Sequence, residues 1–497
     1  MNLTGDPWIP VLDDAGHARL MGLAQVFGEG HRIRDLCVTP PQRIALMRLL
    51  VCIAQASLKG PDDEAEWLAC RERMVPAALR YLERWRDRFE LYGDRPFLQV
   101  AELEPARNAT LDKLGSIDAG LAAGNSPTLF DHGAEPEGRP RSPAWCALML
   151  LTYQCFSPGG TIGDNRWGGR ATGRSSKHAP CVEESALHTL LRGACLLQSV
   201  HLNLLTRELV AQLPNGEWGV PIWEGMPPTP GSPAAQESVR SYLGRLVPLA
   251  RAVRLESDSS RFTLANGLSY PKLPAWREPA ATVVLRGRGA NERLAYLKVD
   301  LAKHPWRELG SLLALASGTQ GGPVVVRHIA SLRQRGGIVD VWTGGLAASR
   351  GKLIDVGEWV FAVPVDMVDA LSVRKYQEGV AMAEQAAFGL WRAVTAYCGA
   401  LQASDTLSAR AAALYWGALD AEHGLLLEVA NDSARSLGDD WYQRVCGSLR
   451  MAYERVCDRV TPRQLQAYVA GRRHLYLANP DAADKTPKKE EAVHARA

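Results

Sequence analysis

The sequence lacks the recurring signatures of most enzyme classes and of membrane proteins. Its ten cysteines form no CxxC pair and no His/Cys cluster at zinc-ligand spacing, which is typical of thiols kept in a reducing compartment. It contains no HExxH, GxSxG or GxxxxGK[ST] motif, so no zincin, α/β-hydrolase or P-loop site is indicated. The most apolar run, residues 44–56, contains Arg48 and is too short to span a bilayer. We therefore expect a cytoplasmic protein without a membrane segment, a bound metal or a cofactor.

Charge is nearly balanced along the chain. The 497 residues include 57 basic and 54 acidic side chains, for a formal net charge of +3. Any binding of nucleic acid must therefore come from local basic patches rather than from overall basicity. A hydrophobic content of 46% is enough for a large core, and the length favours roughly two to four domains.

What the sequence does contain is one dense glycine-rich stretch, residues 155–174, which reads CFSPGGTIGDNRWGGRATGR. Its six glycines remove the Cβ atoms that would keep a partner away from the backbone, so the peptide N–H groups become available as contacts. Three arginines in the stretch, followed by Lys177, add positive charge that suits a polyanion. The alternative is a mobile surface loop that binds nothing.

Hydrophobic periodicity predicts an α+β protein. A large mixed N-terminal domain with β-hairpins covers residues 1–363, an antiparallel four-helix bundle covers residues 364–478, and a disordered tail covers residues 479–497. The bundle would be built from four long helices joined by short connections, at residues 366–402, 406–429, 434–460 and 462–477.

The sequence also predicts helices that flank the glycine-rich stretch and a β-hairpin later in the chain. Helical spacing of leucines predicts helices on both sides of the stretch, at residues 143–156 and 183–210. Later strands, at residues 338–342 and 353–361, predict a hairpin around residues 344–352. This tip is too long for a two-residue turn and too basic for a core, so we expect it to protrude as a finger.

Six segments occur together and in order: NLTGDPWIPV, RPFLQ, GNSPTLFDH, FSPGG, LRGACLLQSVHLNLL and VPIWE. In this combination the chain resembles the large-subunit (CasA) family of the type I-E CRISPR surveillance complex, Cascade. The resemblance implies an α/β N-terminal domain followed by a four-helix bundle, and a subunit that is not an enzyme. It also implies recognition of the protospacer-adjacent motif (PAM) in double-stranded DNA, promotion of strand opening, and docking of a helicase-nuclease.

The resemblance implies DNA contacts at two places. The loop that touches the PAM through its backbone would be Gly159 and Gly160, with Thr161 beside them. The basic residue that enters the minor groove would be Arg261, with Ser260 as the alternative if the register slips.

The resemblance also implies two contacts that belong to hairpins or loops. The wedge that opens the first base pair would be Ser349, Arg350, Gly351 and Lys352, where Arg350 replaces the family's glutamine. The loop that reaches the 5′ handle of the CRISPR RNA and the neighbouring Cascade subunit would hold Leu129 and Phe130.

Two other classes of function remain open from the residues alone. A Cys/His-type hydrolase would use the glycine-rich stretch as an oxyanion site and would need a base within hydrogen-bond reach of Cys155. If the protein were purely a helical scaffold, the glycine-rich stretch and the finger would point away from each other rather than share one surface.

Overall fold

The computed structural model describes residues 1–106, 111–118, 141–287, 289–301, 303, 305–314, 321–333, 336–349 and 352–482. Its contacts divide the chain into two compact units. Unit 1 comprises the described residues within Met1–Ala302, Leu315–Gln334 and Ile338–Ala362, and unit 2 those within Lys303–Ala314, Arg335–Gly337 and Val363–Ala497. No helix in the described part is long and apolar enough to cross a membrane.

Helices and strands are both present, as the predicted α+β class requires. The strands are β1 (Ile9–Asp13), β2 (Ala18–Met21), β3 (Ile33–Leu36), β4 (Leu103–Glu104), β5 (Asp112–Lys113), β6 (Gly160–Thr161), β7 (Arg166–Trp167), β8 (Arg170–Ala171), β9 (Ser175–Ser176), β10 (His188–Arg192), β11 (Arg251–Leu255), β12 (Arg261–Asn266), β13 (Val283–Arg286), β14 (Arg293–Tyr296), β15 (Ile338–Ser349) and β16 (Lys352–Pro364). They form small sheets in the orders β2-β1-β3, β10-β15-β16, β11-β12-β5, β4-β7-β8, β13-β14 and β6-β9.

Most helices of unit 1 are short, and most of those of unit 2 are longer. Those of unit 1 are α1 (Leu23–Glu29), α2 (Pro40–Leu58), α3 (Glu64–Ala69), α4 (Arg71–Arg84), α5 (Pro143–Phe156), α6 (Leu196–Leu202), α7 (Arg207–Ala211), α8 (Pro233–Arg240), α9 (Tyr242–Leu246) and α11 (Arg327–Leu332). Those of unit 2 are α10 (Leu309–Leu313), α12 (Ala370–Ala400), α13 (Ser408–Asp420), α14 (His423–Asn431), α15 (Asp440–Val456) and α16 (Pro462–Arg472).

Helix α2 is the central element of unit 1. Two prolines occupy its first turn, where the missing N–H groups cost nothing, and the Gln42 side chain accepts from the Thr39 N–H. Most of its residues are buried, because it packs against α4, α5, α6, α9 and β15. A helix in such a position is mostly apolar around its whole circumference, and its few buried polar side chains need hydrogen-bond partners.

Arg48 is the charged residue that ties α2 to its neighbours. Its guanidinium is buried and lies 2.6 Å from the Glu278 carboxylate. It also donates to the carbonyls of Arg245 and Leu246, at 2.6 and 2.8 Å. Burial by itself would raise the pKa of Glu278, but Arg48 and the nearby His188 hold it below its ordinary value. The pair is thus an ionised contact that fixes residues 245–246 and 278 against α2.

Two predictions for unit 1 were wrong. The helix predicted at residues 183–210 is instead strand β10 followed by α6 and α7, because β10 pairs with β15 along its whole length. Gly344 to Ala347, predicted at the tip of a protruding finger, lie inside β15 and are buried. A Cβ added at Gly345 would lie 2.7 Å from the Ala186 carbonyl oxygen, so the strand needs glycine there.

In unit 2, the other helices pack around α12. The predicted helix at residues 406–429 is two helices, α13 and α14, separated by Ala421 and Glu422. The arrangement as a four-helix bundle stays a prediction. Asp481, assigned to the tail from sequence, contacts the Ser436 hydroxyl, so the first residues of that segment pack on unit 2.

The Arg48–Glu278 pair yields a stability prediction. Arg48→Met leaves Glu278 as an unpaired buried charge, so we expect unfolding of unit 1 to become easier by about 3–5 kcal/mol. The double variant Arg48→Met/Glu278→Gln removes that charge and should recover part of the loss. Urea unfolding followed by tryptophan fluorescence measures both, and equal midpoints for wild type and Arg48→Met would contradict the assignment.

Candidate nucleic-acid interface

The glycine-rich stretch is folded into two small antiparallel ladders rather than left as a loop. Strand β6 pairs with β9, with Gly160 opposite Ser176 and Thr161 opposite Ser175. Strands β7 and β8 form a hairpin whose turn residues, Gly168 and Gly169, have φ values of 56° and 72°. Two consecutive positive φ angles are the requirement of a tight two-residue hairpin, and glycine adopts them without strain.

Gly159 and Gly160 differ in what surrounds them. A Cβ added at Gly159 would lie 3.0 Å from the Ser176 carbonyl oxygen and 3.1 Å from the His178 backbone nitrogen. A Cβ added at Gly160 would meet nothing within 4 Å, and the residue is exposed. A side chain at position 159 would thus be tightly packed against backbone atoms, whereas the bare surface at Gly160 is left open to a partner.

The peptide N–H groups of both glycines are already engaged within the chain. Gly159 donates to His178 Nδ1 at 3.0 Å, and Gly160 donates to Ser176 Oγ at 3.0 Å. The Ser176 hydroxyl in turn donates to the Gly160 carbonyl at 2.9 Å. These two N–H groups are thus engaged within the chain, and the surface that β6 offers to a partner is the Cα of Gly160 and the exposed Thr161.

A buried arginine fixes the base of β6. Arg251 donates to the carbonyls of Pro158 (2.6 Å) and Lys177 (2.8 Å), which precede β6 and follow β9 at the same end of their ladder. Gln154 of α5 bonds the backbone N–H and carbonyl of Arg251. Burial lowers the pKa of Arg251, and Tyr153 opposes that shift. Neither Arg251 nor Gln154 was predicted to support the site. The signal in the sequence was a polar side chain, an arginine or a glutamine, within an otherwise apolar segment.

The far end of the stretch is held by strand β12. Asn266 Nδ2 lies 2.9–3.0 Å from the carbonyl oxygens of Thr172, Gly173 and Ser175. Arg261 begins the same strand, is exposed, and pairs across the sheet with Lys113. Arg261 and Asn266 lie five residue steps apart along the strand, a distance of about 17 Å.

The structure distinguishes Arg261 from its alternative, Ser260. The Ser260 hydroxyl and backbone N–H both donate to the Asp258 carboxylate, at 2.7 and 3.0 Å, and Ser260 is buried. Hydrogen bonds from Ser260, with a smaller contribution from Arg261, lower the pKa of Asp258. Arg261 is thus the exposed donor at this position.

The remaining predicted site residues are only partly described. Ser349 and Lys352 end β15 and begin β16, while Arg350, Gly351, Leu129 and Phe130 lie outside the described residues. Ala348, one residue before the end of β15, exchanges two hydrogen bonds with the Ser185 hydroxyl, at 2.9 and 3.1 Å. The wedge and the RNA loop therefore stay predictions.

The described residues offer little for catalysis. Cys155 has 0% exposure, so its thiol does not meet a substrate at the surface. Within the described ranges, no group of three His, Cys, Asp or Glu side chains could hold a metal ion. The exposed charges of the stretch are basic instead, namely Arg166, Arg170 and Arg174, and the exposed Lys177 follows them.

Comparison with known proteins identifies relatives along nearly the whole chain. The family model of CRISPR-associated protein Cse1 matches residues 2–452. The CRISPR-associated protein CasA/Cse1 of Thermus thermophilus is 30% identical over 407 residues, 78% of this chain and 76% of that protein.

Solved structures share the fold at lower identity. Thermus thermophilus CasA (Cse1) has a TM-score of 0.76 at 23% identity, covering 96% of this chain and 98% of that one. Cse1 from Acidimicrobium ferrooxidans has a TM-score of 0.77 at 21% identity, covering 96% of each chain. A chain of a CRISPR RNA-guided surveillance complex has a TM-score of 0.75 at 18% identity, covering 96% and 99%.

The two glycines of β6 should respond differently to alanine. Gly159→Ala pushes a methyl group into backbone atoms that cannot move freely, so we expect a destabilisation of about 1–3 kcal/mol. Gly160→Ala points into open space and should change stability by no more than about 0.5 kcal/mol. Thermal unfolding of the two variants tests this; a larger loss for Gly160→Ala than for Gly159→Ala would contradict the geometry.

The Gly159–His178 hydrogen bond should depend on pH. Burial first, then Lys272 and Arg251, lower the pKa of His178 below 6.5, so the neutral ring accepts the N–H at pH 7. The contribution is fully present above pH 6.5 and is lost as pH falls through the lowered pKa, because protonated Nδ1 cannot accept.

Hydrogen–deuterium exchange of the peptide containing Gly159, expressed as protection factors, measures this loss. We expect protection to fall between pH 7 and pH 5 in the wild type and to change less in His178→Gln, whose amide oxygen accepts without titrating. The same fall in both proteins would exclude His178 as the titrating group.

Proposed function

The chain belongs to the CRISPR-associated protein Cse1 family, also called CasA, and from this premise we propose that it recognises the PAM in duplex DNA through β6 and helps to open the target strands. In this role it is the large subunit of a type I-E Cascade complex in antiviral defence. It binds rather than catalyses, together with the CRISPR RNA and the other Cascade subunits.

One observation carries the proposal: Gly160 is exposed, has open space where a Cβ would lie, and is nevertheless held rigidly. The B-DNA minor groove is about 6 Å wide, so a strand without a side chain approaches its floor more closely than a strand with one. Hydrogen bonds to Ser176 fix Gly160, so little conformational freedom is lost when DNA binds. The exposed arginines nearby supply attraction to phosphate.

Arg261 supports a second contact on the same duplex. By strand geometry, Arg261 lies about 17 Å from Asn266, at the end of β12 that contacts the glycine-rich stretch. This distance corresponds to about five base-pair steps of 3.4 Å. An arginine inserted into a minor groove is favoured by the negative potential there. We therefore propose that β12 lies along the duplex, with β6 at one end and Arg261 at the other.

The other family functions rest on resemblance. We propose that the β15–β16 hairpin opens the first base pair through Arg350, that Leu129 and Phe130 contact the RNA handle and the neighbouring subunit, and that the subunit helps to recruit the helicase-nuclease. The full burial of Cys155 argues against the hydrolase alternative. The role of a purely helical scaffold would not explain an exposed glycine, with open space where a Cβ would lie, among exposed arginines.

The proposal predicts the effect of a charge at Gly160. Gly160→Asp adds both a side chain and a negative charge facing phosphate, so we expect at least about a tenfold loss of affinity for PAM duplex, about 1.4 kcal/mol. Assembly of the complex should be unchanged because the position is exposed. A gel-shift titration with the assembled complex measures the affinity.

Gly5→Asp is the matched control, since Gly5 is also exposed and has nothing within 4 Å of an added Cβ. It introduces the same charge elsewhere on unit 1 and should bind like wild type. If Gly160→Asp and Gly5→Asp gave the same affinity for PAM duplex, β6 would not be the DNA contact.

A further inference from the structure

A basic surface pocket of about 490 Å³ lies beside the glycine-rich stretch. One side is formed by Lys177 and His178, and the other by the segment Ser269, Tyr270, Pro271 and Lys272. Both lysines are exposed, and Lys177 Nζ donates to Ser269 Oγ at 2.9 Å, which joins the two sides. None of the contacts proposed above uses this pocket.

Two buried arginines hold the backbone of the two sides in place. Arg251 donates to the Lys177 carbonyl at 2.8 Å, and Arg245 donates to the Pro271 carbonyl at 3.1 Å. The Tyr270 hydroxyl accepts from the Leu249 N–H at 2.7 Å, and the Arg245 guanidinium lies 5.3 Å from the Tyr270 ring. The pocket is therefore preformed, and only the lysine side chains need to adjust to a ligand.

The pocket shares His178 with the start of β6. His178 lines the pocket and accepts the Gly159 N–H through Nδ1. A duplex whose minor groove faces Gly160 therefore runs close to the pocket, with the phosphates that border the groove nearest to it. A phosphate-bearing strand and a lysine-lined depression are chemically complementary, since an ammonium group binds phosphate as a compact point charge.

The charges around the pocket favour an anion. Lys177 and Lys272 are its two cations, and His178 is neutral at pH 7 because burial, Lys272 and Arg251 lower its pKa. Glu183 is an acid that interacts electrostatically with Lys272; burial raises its pKa to about 7, while Lys272 and Arg245 oppose the rise. Glu183 is thus only partly ionised at neutral pH, and the site keeps a net positive charge.

We infer that the pocket formed by Lys177, His178 and Ser269–Lys272 binds a nucleic-acid phosphodiester, namely a backbone phosphate of the target duplex bordering the minor groove that faces Gly160. This inference rests on the proposed function. The contact adds affinity and fixes the position of the duplex without selecting sequence, because a phosphate is the same at every step.

The test uses the assembled complex with Lys272→Gln, Lys177→Gln and the double variant. Lys59→Gln serves as the matched control, an exposed lysine of unit 1 at the end of α2. The affinity for PAM duplex is measured over a series of KCl concentrations. Each lost phosphate contact should reduce the slope of log affinity against log salt by about 0.9.

A second arm identifies the phosphate. Duplexes that carry one neutral methylphosphonate at successive positions around the PAM are titrated against wild type and Lys272→Gln. We expect one position at which neutralisation weakens wild type by about tenfold and weakens Lys272→Gln less, because the variant has already lost one of the two lysines that face that phosphate. The ratio of affinities for PAM and non-PAM duplexes should stay at its wild-type value.

A third comparison distinguishes phosphate of the target DNA from phosphate of the CRISPR RNA. It also separates the phosphate pocket from the proposal that β6 contacts the PAM. If Lys272→Gln instead weakened assembly with the CRISPR RNA and left the DNA salt slope unchanged, the pocket would belong to the RNA and the inference would be wrong. Slopes equal to that of Lys59→Gln would also overturn it. A reduced slope together with wild-type binding by Gly160→Asp would retain the phosphate pocket and reject β6 as the PAM contact.

Discussion

The burial of the Arg251 guanidinium is the interaction on which the candidate DNA surface depends. A buried cation is costly unless its donors are satisfied, and Arg251 donates to the carbonyls of Ala250, Pro158 and Lys177. Ala250 immediately precedes β11, and Pro158 and Lys177 lie next to each other at one end of the paired strands β6 and β9. The same guanidinium therefore sets the position of Gly159, Gly160 and the pocket beside them.

Other buried arginines of unit 1 act in the same way. Arg48 joins α2 to Glu278 and to two carbonyls. Arg245 donates to Val239 and Pro271 and stacks at 4.4 Å on the Trp276 ring. Burial lowers the pKa of Arg245 to about 10, which leaves it charged at neutral pH. Removing any one of these arginines leaves buried carbonyl groups without their donors, which makes each member of the network costly to lose.

Elements with a strong local pattern could be predicted from sequence. Helix α5 agrees with its prediction at residues 143–156. Its own residues supply the apolar spacing from which the helix was predicted. The dense glycines also drew attention to β6, although their N–H groups proved to be engaged internally.

Elements that depend on distant partners could not be predicted in this way. The leucines of β10 fit helical spacing, and only pairing with β15, about 150 residues later in the chain, makes them a strand. The same pairing buries Gly344 and Gly345, which sequence assigned to a finger. Arg251 has no motif at all, because its role depends on carbonyls brought near it by the fold. The lysine pocket likewise joins two segments about 90 residues apart.

The central claim is that β6 faces the minor groove of the PAM, with β12 lying along the same duplex. Site-specific photocrosslinking measures this directly, with a benzoylphenylalanine side chain in place of the exposed Thr161 or, separately, of Arg261. In the assembled complex we expect Thr161 to crosslink to the PAM and Arg261 to crosslink about five base-pair steps away on the same duplex. Crosslinks from position 161 to the CRISPR RNA alone, or to DNA remote from the PAM, would contradict the account.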